Sequence, residues 1–452
     1  MSHFKSFQEK MESAGLGQSA IGAFERGVDL LIKGEKGFLS EESIEPSEGV
    51  AHYESVTSEN QAWDAKLLNQ TVVVKLNGGL GTGMGLEKAK SLLEVKNGET
   101  FLDLIAEQIA HLRKETGAQV RFLLMNSFST SADTLAALAG GPLDGEEVEM
   151  LQNKVPKIDA ETMKPVAWPS EPEHEWCPPG HGDLYPALAG SGWLDRLLAD
   201  GVKYAFVSNS DNLGATLDAG LLNWFAETDA PFAMEVTRRT EADKKGGHLA
   251  TRKSDQRLVL REVAQCPEED LEHFQNINRH QFFNTNNLWL NLPALKKALD
   301  AAGGVLPLPV IQNAKTVDPR DKSSLSVWQL ETAMGAAIEC FDGAVAVNVP
   351  RSRFAPVKTT ADLFALRSDA YEKRSDGSVG LVSAREGIPP VVKLSGDYKL
   401  VDALQQLGAV PSLVKAQSLS INGAVSFEPG TVIKGEANFD NCGPVAAGEH
   451  GD

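Results

Sequence analysis

The chain has 452 residues, room for two or three domains at about 150 residues each, and its 42% hydrophobic fraction suits a globular protein with a full core. The formal net charge is −19. A surface that acidic repels phosphate backbones and anionic lipid, which argues against nucleic-acid and membrane partners but leaves a small phosphorylated substrate open, provided basic residues gather at one place. Cys177, Cys266, Cys340 and Cys442 lie far apart with no C-x-x-C spacing. The opening MSHFKSFQEKMESAG has no apolar secretory core, and no stretch approaches the ~18 apolar residues of a membrane span. The expectation is a cytoplasmic, multidomain protein.

Residues 4–31 repeat Phe4, Phe7, Met11, Ile21, Phe24, Val28 and Leu31 at helical steps, interrupted at Gly15 and Gly17. Residues 34–70 are polar, acidic and loop-like. Short apolar runs follow at Thr71–Leu76, Arg121–Met125, Lys203–Ser208 and Ala344–Val349, as in strands buried on both faces. Helical patterns separate them at Phe101–Arg113, Ser191–Asp200 and Trp328–Phe341. This alternation predicts a mostly parallel, doubly wound α/β sheet with ligands outside the carboxyl ends of its strands. Near the C-terminus, Leu413, Leu419 and Val425, and Ile421, Phe427, Ile433 and Phe439, recur every six residues, with Gly423, Pro429 and Gly435 in step. That period predicts coils of a β-helix; a ragged antiparallel sheet is the alternative.

The most informative segment is Val74–Ser91, VKLNGGLGTGMGLEKAKS, where a strand runs into Gly78, Gly79, Gly81, Gly83 and Gly85. Such a loop lets backbone N–H groups approach phosphate closely. A Rossmann G-x-G-x-x-G fails, because its third glycine would fall at Met84; a Walker A loop fails, because Ala89 precedes Lys90 and Ser91. The segment instead resembles the signature loop of sugar-nucleotide pyrophosphorylases, L-x-x-G-x-G-T-x-M-x-x-x-x-P-K. Leu76, Gly79, Gly81, Thr82, Met84 and Lys90 are in register, and Ala89 stands at the proline, which is expected to loosen the loop's exit more than its chemistry.

LMNSF at 124–128, WCPPGHGD at 176–183, FVSNSDN at 206–212 with LGAT at 213–216, FNTNNLW at 283–289 and VPRSRFAPVKTT at 349–360 follow in order. Together with the loop they resemble eukaryotic-type UTP–glucose-1-phosphate uridylyltransferases, also called UDP-glucose pyrophosphorylases, over roughly residues 1–440. The resemblance implies a Rossmann-like nucleotidyltransferase fold of the glycosyltransferase-A kind: an α/β mixed sheet with helices on both faces, plus a short C-terminal left-handed β-helix. It implies an N-terminal helical segment at 1–70, a catalytic domain at 71–375 and the β-helix domain at 376–452.

The implied reaction is attack of a glucose 1-phosphate oxygen on the α-phosphorus of UTP, releasing pyrophosphate and UDP-glucose. Because the nucleophile is already ionised at neutral pH, the chemistry calls for charge neutralisation and alignment rather than a base. The resemblance assigns Lys90 and Lys358 as catalytic lysines on the phosphates. Leu76, Asn77, Gly78, Gly79, Gln152, Gly180 and Asp211 are assigned to the nucleotide as well, with Gln152 reading the uracil edge. Gly79, His181, Asn209, Ser210, Asp211, Asn284 and Asn287 are assigned to the sugar phosphate, with one or two of Asn284, Asn286 and Asn287 reaching the sugar. Asp211 is the expected Mg²⁺ ligand, since this ion keeps most of its waters and takes one or two protein carboxylates. His181 lies between glycines with no second histidine at metal spacing, and is read as a hydrogen-bond donor. Arg351 and Arg353 are open to either phosphate support or simple solvation.

The alternatives are a UDP-N-acetylhexosamine or broad-specificity UDP-sugar pyrophosphorylase and, in a different class, a non-catalytic nucleotide-sugar scaffold. The scaffold reading predicts loss of Lys90, Asp211 or Lys358, and all are present. The family's larger assemblies form through the β-helix, so homo-oligomerisation there is a further expectation.

Overall fold

The computed structural model describes residues 3–58 and 61–452. The first periodic segment forms helices α1 (Lys5–Ser13) and α2 (Gln18–Ile32), joined by a turn in which Gly15 has φ 77°. Their buried faces, Phe7 and Met11 on one and Ile21, Phe24 and Val28 on the other, close over Val155, Ile158, Cys177, Val310 and Leu330. The stretch expected to be loop-like is more structured than its polarity suggests. It contains strand residues Ile44–Pro46, two short helices and a buried carboxylate, Glu41, which accepts hydrogen bonds from Arg261 at 2.7 Å and Arg279 at 2.5 Å.

The central sheet is mixed. Its main path uses β1 (Ala51–His52), β2 (Thr71–Asn77), β3 (Arg121–Asn126), β4 (Glu149–Leu151), β5 (Tyr204–Asn209), β6 (Phe232–Arg238), β7 (Phe282–Asn291) and β8 (Val345–Asn348), in the order β1-β8-β6-β7-β5-β2-β3-β4. Only β7 on this path runs antiparallel to both neighbours, β5 and β6; the remaining pairs are parallel. All seven residues of β2 are buried, so side chains alternate between two cores rather than between core and water. Val72, Val74 and Leu76 meet Leu184, Leu188, Leu197 and Leu295 on one face. Val73, Leu124 and Phe206 meet Leu102, Ile105 and Ile109 of helix α3 (Phe101–Thr116) on the other. This second core runs on into Leu413, Leu419, Ile421, Val425 and Ile433 near the C-terminus.

One expected helix is absent. Ser326–Thr332 is a strand and Met334–Cys340 a 3₁₀ segment, where residues 328–341 had a helical pattern. The pattern merges two buried runs. Val327 and Leu330 are held by pairing with Val310–Thr316, long-range bonds that local periodicity does not register, while Met334–Ile338 packs into the core beside them.

The C-terminal strands are parallel, not antiparallel. Val391–Leu394, Ser412–Asn422, Thr431–Asp440 and Gly448–His450 form one sheet, and Val425–Phe427 pairs with Gly443–Val445. Leu419 pairs with Ala437, Ile421 with Phe439 and Val425 with Gly443, each three six-residue steps along the chain. Among the described residues, no helix is long and apolar enough to cross a membrane.

Candidate active site

The glycine loop leaves β2 at its carboxyl end. Gly78 is the point of closest approach: a Cβ there would lie 2.6 Å from Oε1 of Gln152. Gly79 is exposed, and its carbonyl accepts from the Lys90 N–H at 3.0 Å, which closes the loop on itself. Gly81 adopts φ 68°, a left-handed conformation that costs glycine little. Ala89 has φ −51°, within the range a proline ring imposes. The departure from the family residue therefore leaves the exit geometry proline-like.

Gln152 donates from Nε2 to the Gly180 carbonyl at 2.9 Å, bringing the glycine loop and the Gly180–Gly182 turn together. That turn is pressed on Thr332: a Cβ would lie 2.5 Å from the Thr332 carbonyl oxygen at Gly180 and 2.3 Å from Thr332 Oγ1 at Gly182. The packing orients His181, whose Nδ1 accepts from the Met334 N–H at 3.0 Å. Burial pushes its pKa down to about 4. The ring is thus neutral, and with Nδ1 accepting, Nε2 carries the proton and is a donor.

Asp211 follows the end of β5, and its Oδ2 takes the Lys90 ammonium at 2.6 Å. The Asp211 carbonyl accepts from the Val357 N–H at 3.1 Å, so Lys358 begins one residue from the same turn. Lys358 is exposed, with Nζ 5.6 Å from the centre of the Phe354 ring and its backbone N–H bonded to Asp362 at the start of helix Thr360–Arg367. Lys90 and Asp211 therefore meet beyond the carboxyl ends of the paired strands β2 and β5, where α/β sheets hold ligands, and Lys358 leads into the helix beside them. Asn209 is partly exposed, whereas Ser210 is buried, with Oγ 3.3 Å from Asn77 Oδ1.

Several expected contacts are turned inward. The Asn77 amide donates to Asn126 at 2.8 Å and Thr134 at 3.0 Å, so its side chain braces the strand ends. Asn287 is fully buried, and its amide donates to Glu235 at 3.0 Å. Asn284 and Asn286 bond each other across a bulge in β7, where Asn286 adopts φ 59°; the asparagines supply the left-handed residue and satisfy its backbone. Arg351 is paired with Asp243 at 2.7 Å, and Arg353 is buried in a two-pronged pair with Glu235 at 2.8 and 2.7 Å. Neither is a free phosphate arm, and Arg353 is not solvated.

Glu262 was not singled out in the sequence. The Arg261–His248 register of a hairpin sets it opposite Gly247, where a Cβ would lie 2.6 Å from its carboxyl oxygens. Burial raises its pKa and the Lys358 charge opposes that rise. The Gly247 carbonyl in turn accepts from Asn284 N–H at 3.2 Å, so Glu262, Gly247, Asn284 and Lys358 share one neighbourhood. Only hairpin pairing connects 247 with 262, and no contiguous motif announces it. Among the described residues, the grouping of His, Asp and Glu side chains close enough to share an ion is Glu171, His174 and Asp318, none of them an expected site residue.

Comparison with known proteins gives one family along nearly the whole chain. The model of the UTP–glucose-1-phosphate uridylyltransferase family matches residues 23–434. The protein of that name from Hordeum vulgare is 43% identical over 398 residues, spanning 87% of this chain and 82% of its own length. Its counterpart from Saccharomyces cerevisiae is 39% identical over 440 residues, spanning 94% and 86%. A UDP-glucose pyrophosphorylase mutant from Leishmania major, solved in complex with UDP-glucose, superposes with a TM-score of 0.93 at 46% identity and covers 99% of this chain and 97% of its own. With the glycine loop, the lysine–aspartate pair and this likeness along nearly the whole length, the chain belongs to the UTP–glucose-1-phosphate uridylyltransferase family.

Proposed function

We propose that this chain makes UDP-glucose by in-line attack of a glucose 1-phosphate oxygen on the α-phosphorus of UTP. The new P–O bond forms as the bond to the β-phosphate bridge breaks, and pyrophosphate leaves with the electron pair. No general base is needed, and the obstacle is repulsion between two polyanions. Lys90 and the glycine-loop backbone take the UTP phosphates, with Leu76, Gly78 and Gly79 along base and ribose and Gln152 beside Gly180 at the uracil edge. His181, held neutral, donates from Nε2 to the sugar phosphate together with Asn209. Asn284 and Glu262 face the sugar hydroxyls, and Lys358 neutralises charge between the two substrates. The observation that carries this reading is the 2.6 Å Lys90–Asp211 pair beside the glycine loop: a cation and a carboxylate that substrate phosphates can separate.

A single carboxylate at a strand end suits Mg²⁺, so Asp211 would hold the ion, which supplies charge neutralisation at the phosphates when bound. The same proposal divides the chain into an N-terminal helical segment at 1–70, a catalytic domain at 71–375 and a C-terminal domain at 376–452. It reads the eighteen-residue parallel steps as coils of a left-handed β-helix. Copies associate through that domain, where Ile388 and Val391 are more than half exposed. The widely separated free cysteines suit a cytoplasmic setting.

The reverse reaction tests the reading. UDP-glucose and pyrophosphate should yield UTP and glucose 1-phosphate; hydrolysis to UMP, or no reaction with either nucleotide sugar or UTP, would contradict it.

A further inference from the structure

One charged group near the site is buried within the central sheet. Lys75 lies in the middle of β2, 3% exposed, on a strand whose other side chains are apolar or hydroxyl-bearing until Asn77. Its Nζ donates to Ser208 Oγ at 2.8 Å and to the Ala215 carbonyl at 2.6 Å. Those two acceptors are the two feet of the turn that carries Asn209, Ser210 and Asp211. The next carbonyl, Thr216, is held by Arg353 at 3.0 Å, and Arg353 is clamped on Glu235. Asn212, inside the turn, donates to the Arg353 carbonyl at 3.0 Å and accepts from the Ala355 N–H at 3.0 Å, on the segment that leads to Lys358.

A lysine here is costly for folding. Burial and then the neighbouring Arg353 guanidinium pull its pKa down to about 7, against the opposing pull of Glu235 and Asp211. An apolar side chain of similar length avoids that desolvation, and buried charges replaced in this way are often neutral or stabilising. A group that burdens the fold yet closes both ends of the turn bearing Asp211 points to a role in the reaction.

We infer that Lys75 is a positioning residue for uridylyl transfer, an internal clamp that fixes the Ser208–Ala215 turn and hence Asp211 relative to Lys358. The inference rests on the proposed reaction and adds a residue to it. Lys75 touches no substrate. It acts through Ser208 and Ala215, and the Arg353–Glu235 pair completes the frame from the other side.

The test compares wild type, Lys75→Met, Ser208→Ala and the double variant in purified full-length chain, reading thermal midpoint, kcat and both KM values. A positioning role predicts that Lys75→Met keeps the wild-type thermal midpoint or exceeds it, while kcat falls about 100-fold, the scale of a displaced reacting geometry. Both KM values should move by less than about threefold, as when an interaction matters only in the transition state. Ser208→Ala should lose less, and the double variant should be no worse than Lys75→Met alone, since both act through one turn. Wild-type kcat in Lys75→Met, or a loss matched by the folded fraction, would overturn the inference. If Lys75→Met does not fold, Ser208→Ala decides: unchanged kcat overturns the inference, and lowered kcat at unchanged KM upholds it. An inactive wild type would instead condemn the reaction itself.

Discussion

Lys358 differs from Lys90 in what surrounds it. Lys90 is already paired with a carboxylate at 2.6 Å, whereas Lys358 is exposed beside an aromatic ring. In the proposed mechanism the first would hold ground-state phosphate, and the second would gain most when charge develops at the α-phosphorus. Lys358→Ala should therefore abolish turnover while UTP binding, measured by calorimetry, stays within about threefold. Equal loss of binding and rate would make it a ground-state anchor. Ala89 supports a stability prediction. With φ at −51°, Ala89→Pro should raise stability by about 0.4–1 kcal/mol through the unfolded chain, and a lower melting midpoint would show that the loop requires a freer exit. At this scale the sequence was legible where residues sit inside contiguous motifs, as for Lys90 and Asp211, which the fold brings together at 2.6 Å. It was not legible where a side chain's direction depends on a strand-crossing partner. Asn77 turned to Asn126 and Asn287 to Glu235 because neighbouring strands offered buried acceptors, and Arg353 was drawn inward by the same carboxylate.

Among elements, the Gly180–Asp183 turn joins two groups whose titrations oppose each other. Burial lowers His181 to about 4 and raises Asp183 to about 7, the latter against the pull of Asn153 hydrogen bonds. Between about pH 4 and 6.5 the unfolded chain binds a proton on His181 that the native chain does not, so this group makes stability rise with pH. Between about 4 and 7 the native chain binds a proton on Asp183 that the unfolded chain lacks, so this one makes stability fall. Wild-type stability should be nearly flat in this respect. Asp183→Asn should unmask the histidine, giving denaturation midpoints that rise from pH 4.5 to 6.5 more steeply than wild type. A shallower rise than wild type would contradict both assignments. Elements were legible where periodicity is strong and local, as in α1, α2 and α3. The 328–341 stretch misled because Leu330 on the strand and Met334 and Ile338 on the 3₁₀ segment fall at helical steps, and only pairing with Val310–Thr316 reveals the boundary.

For the whole molecule, the parallel pairing of strands eighteen residues apart follows the six-residue apolar period of 413–439. The way the N-terminal segment is fastened follows no such period. Glu41, in a stretch that reads as loop, meets fully buried Arg261, and His280 Nε2 lies 3.0 Å from its Oε1. Arg261 also pairs with Asp270 at 3.1 Å, so Glu41→Gln removes one of its two carboxylates and should cost about 2 kcal/mol in urea unfolding, the scale of a hydrogen bond to a charged group; a loss under about 0.5 kcal/mol, the level of a surface change, would mean the segment is held by its helices alone. The whole chain is expected to act as one enzyme, and pyrophosphate release from UTP and Mg²⁺, with glucose 1-phosphate and N-acetylglucosamine 1-phosphate compared side by side, measures this. Rapid release with glucose 1-phosphate and little with the N-acetylated sugar is the predicted result. Preference for the N-acetylated sugar, or tight UTP binding with no release from either, would contradict it.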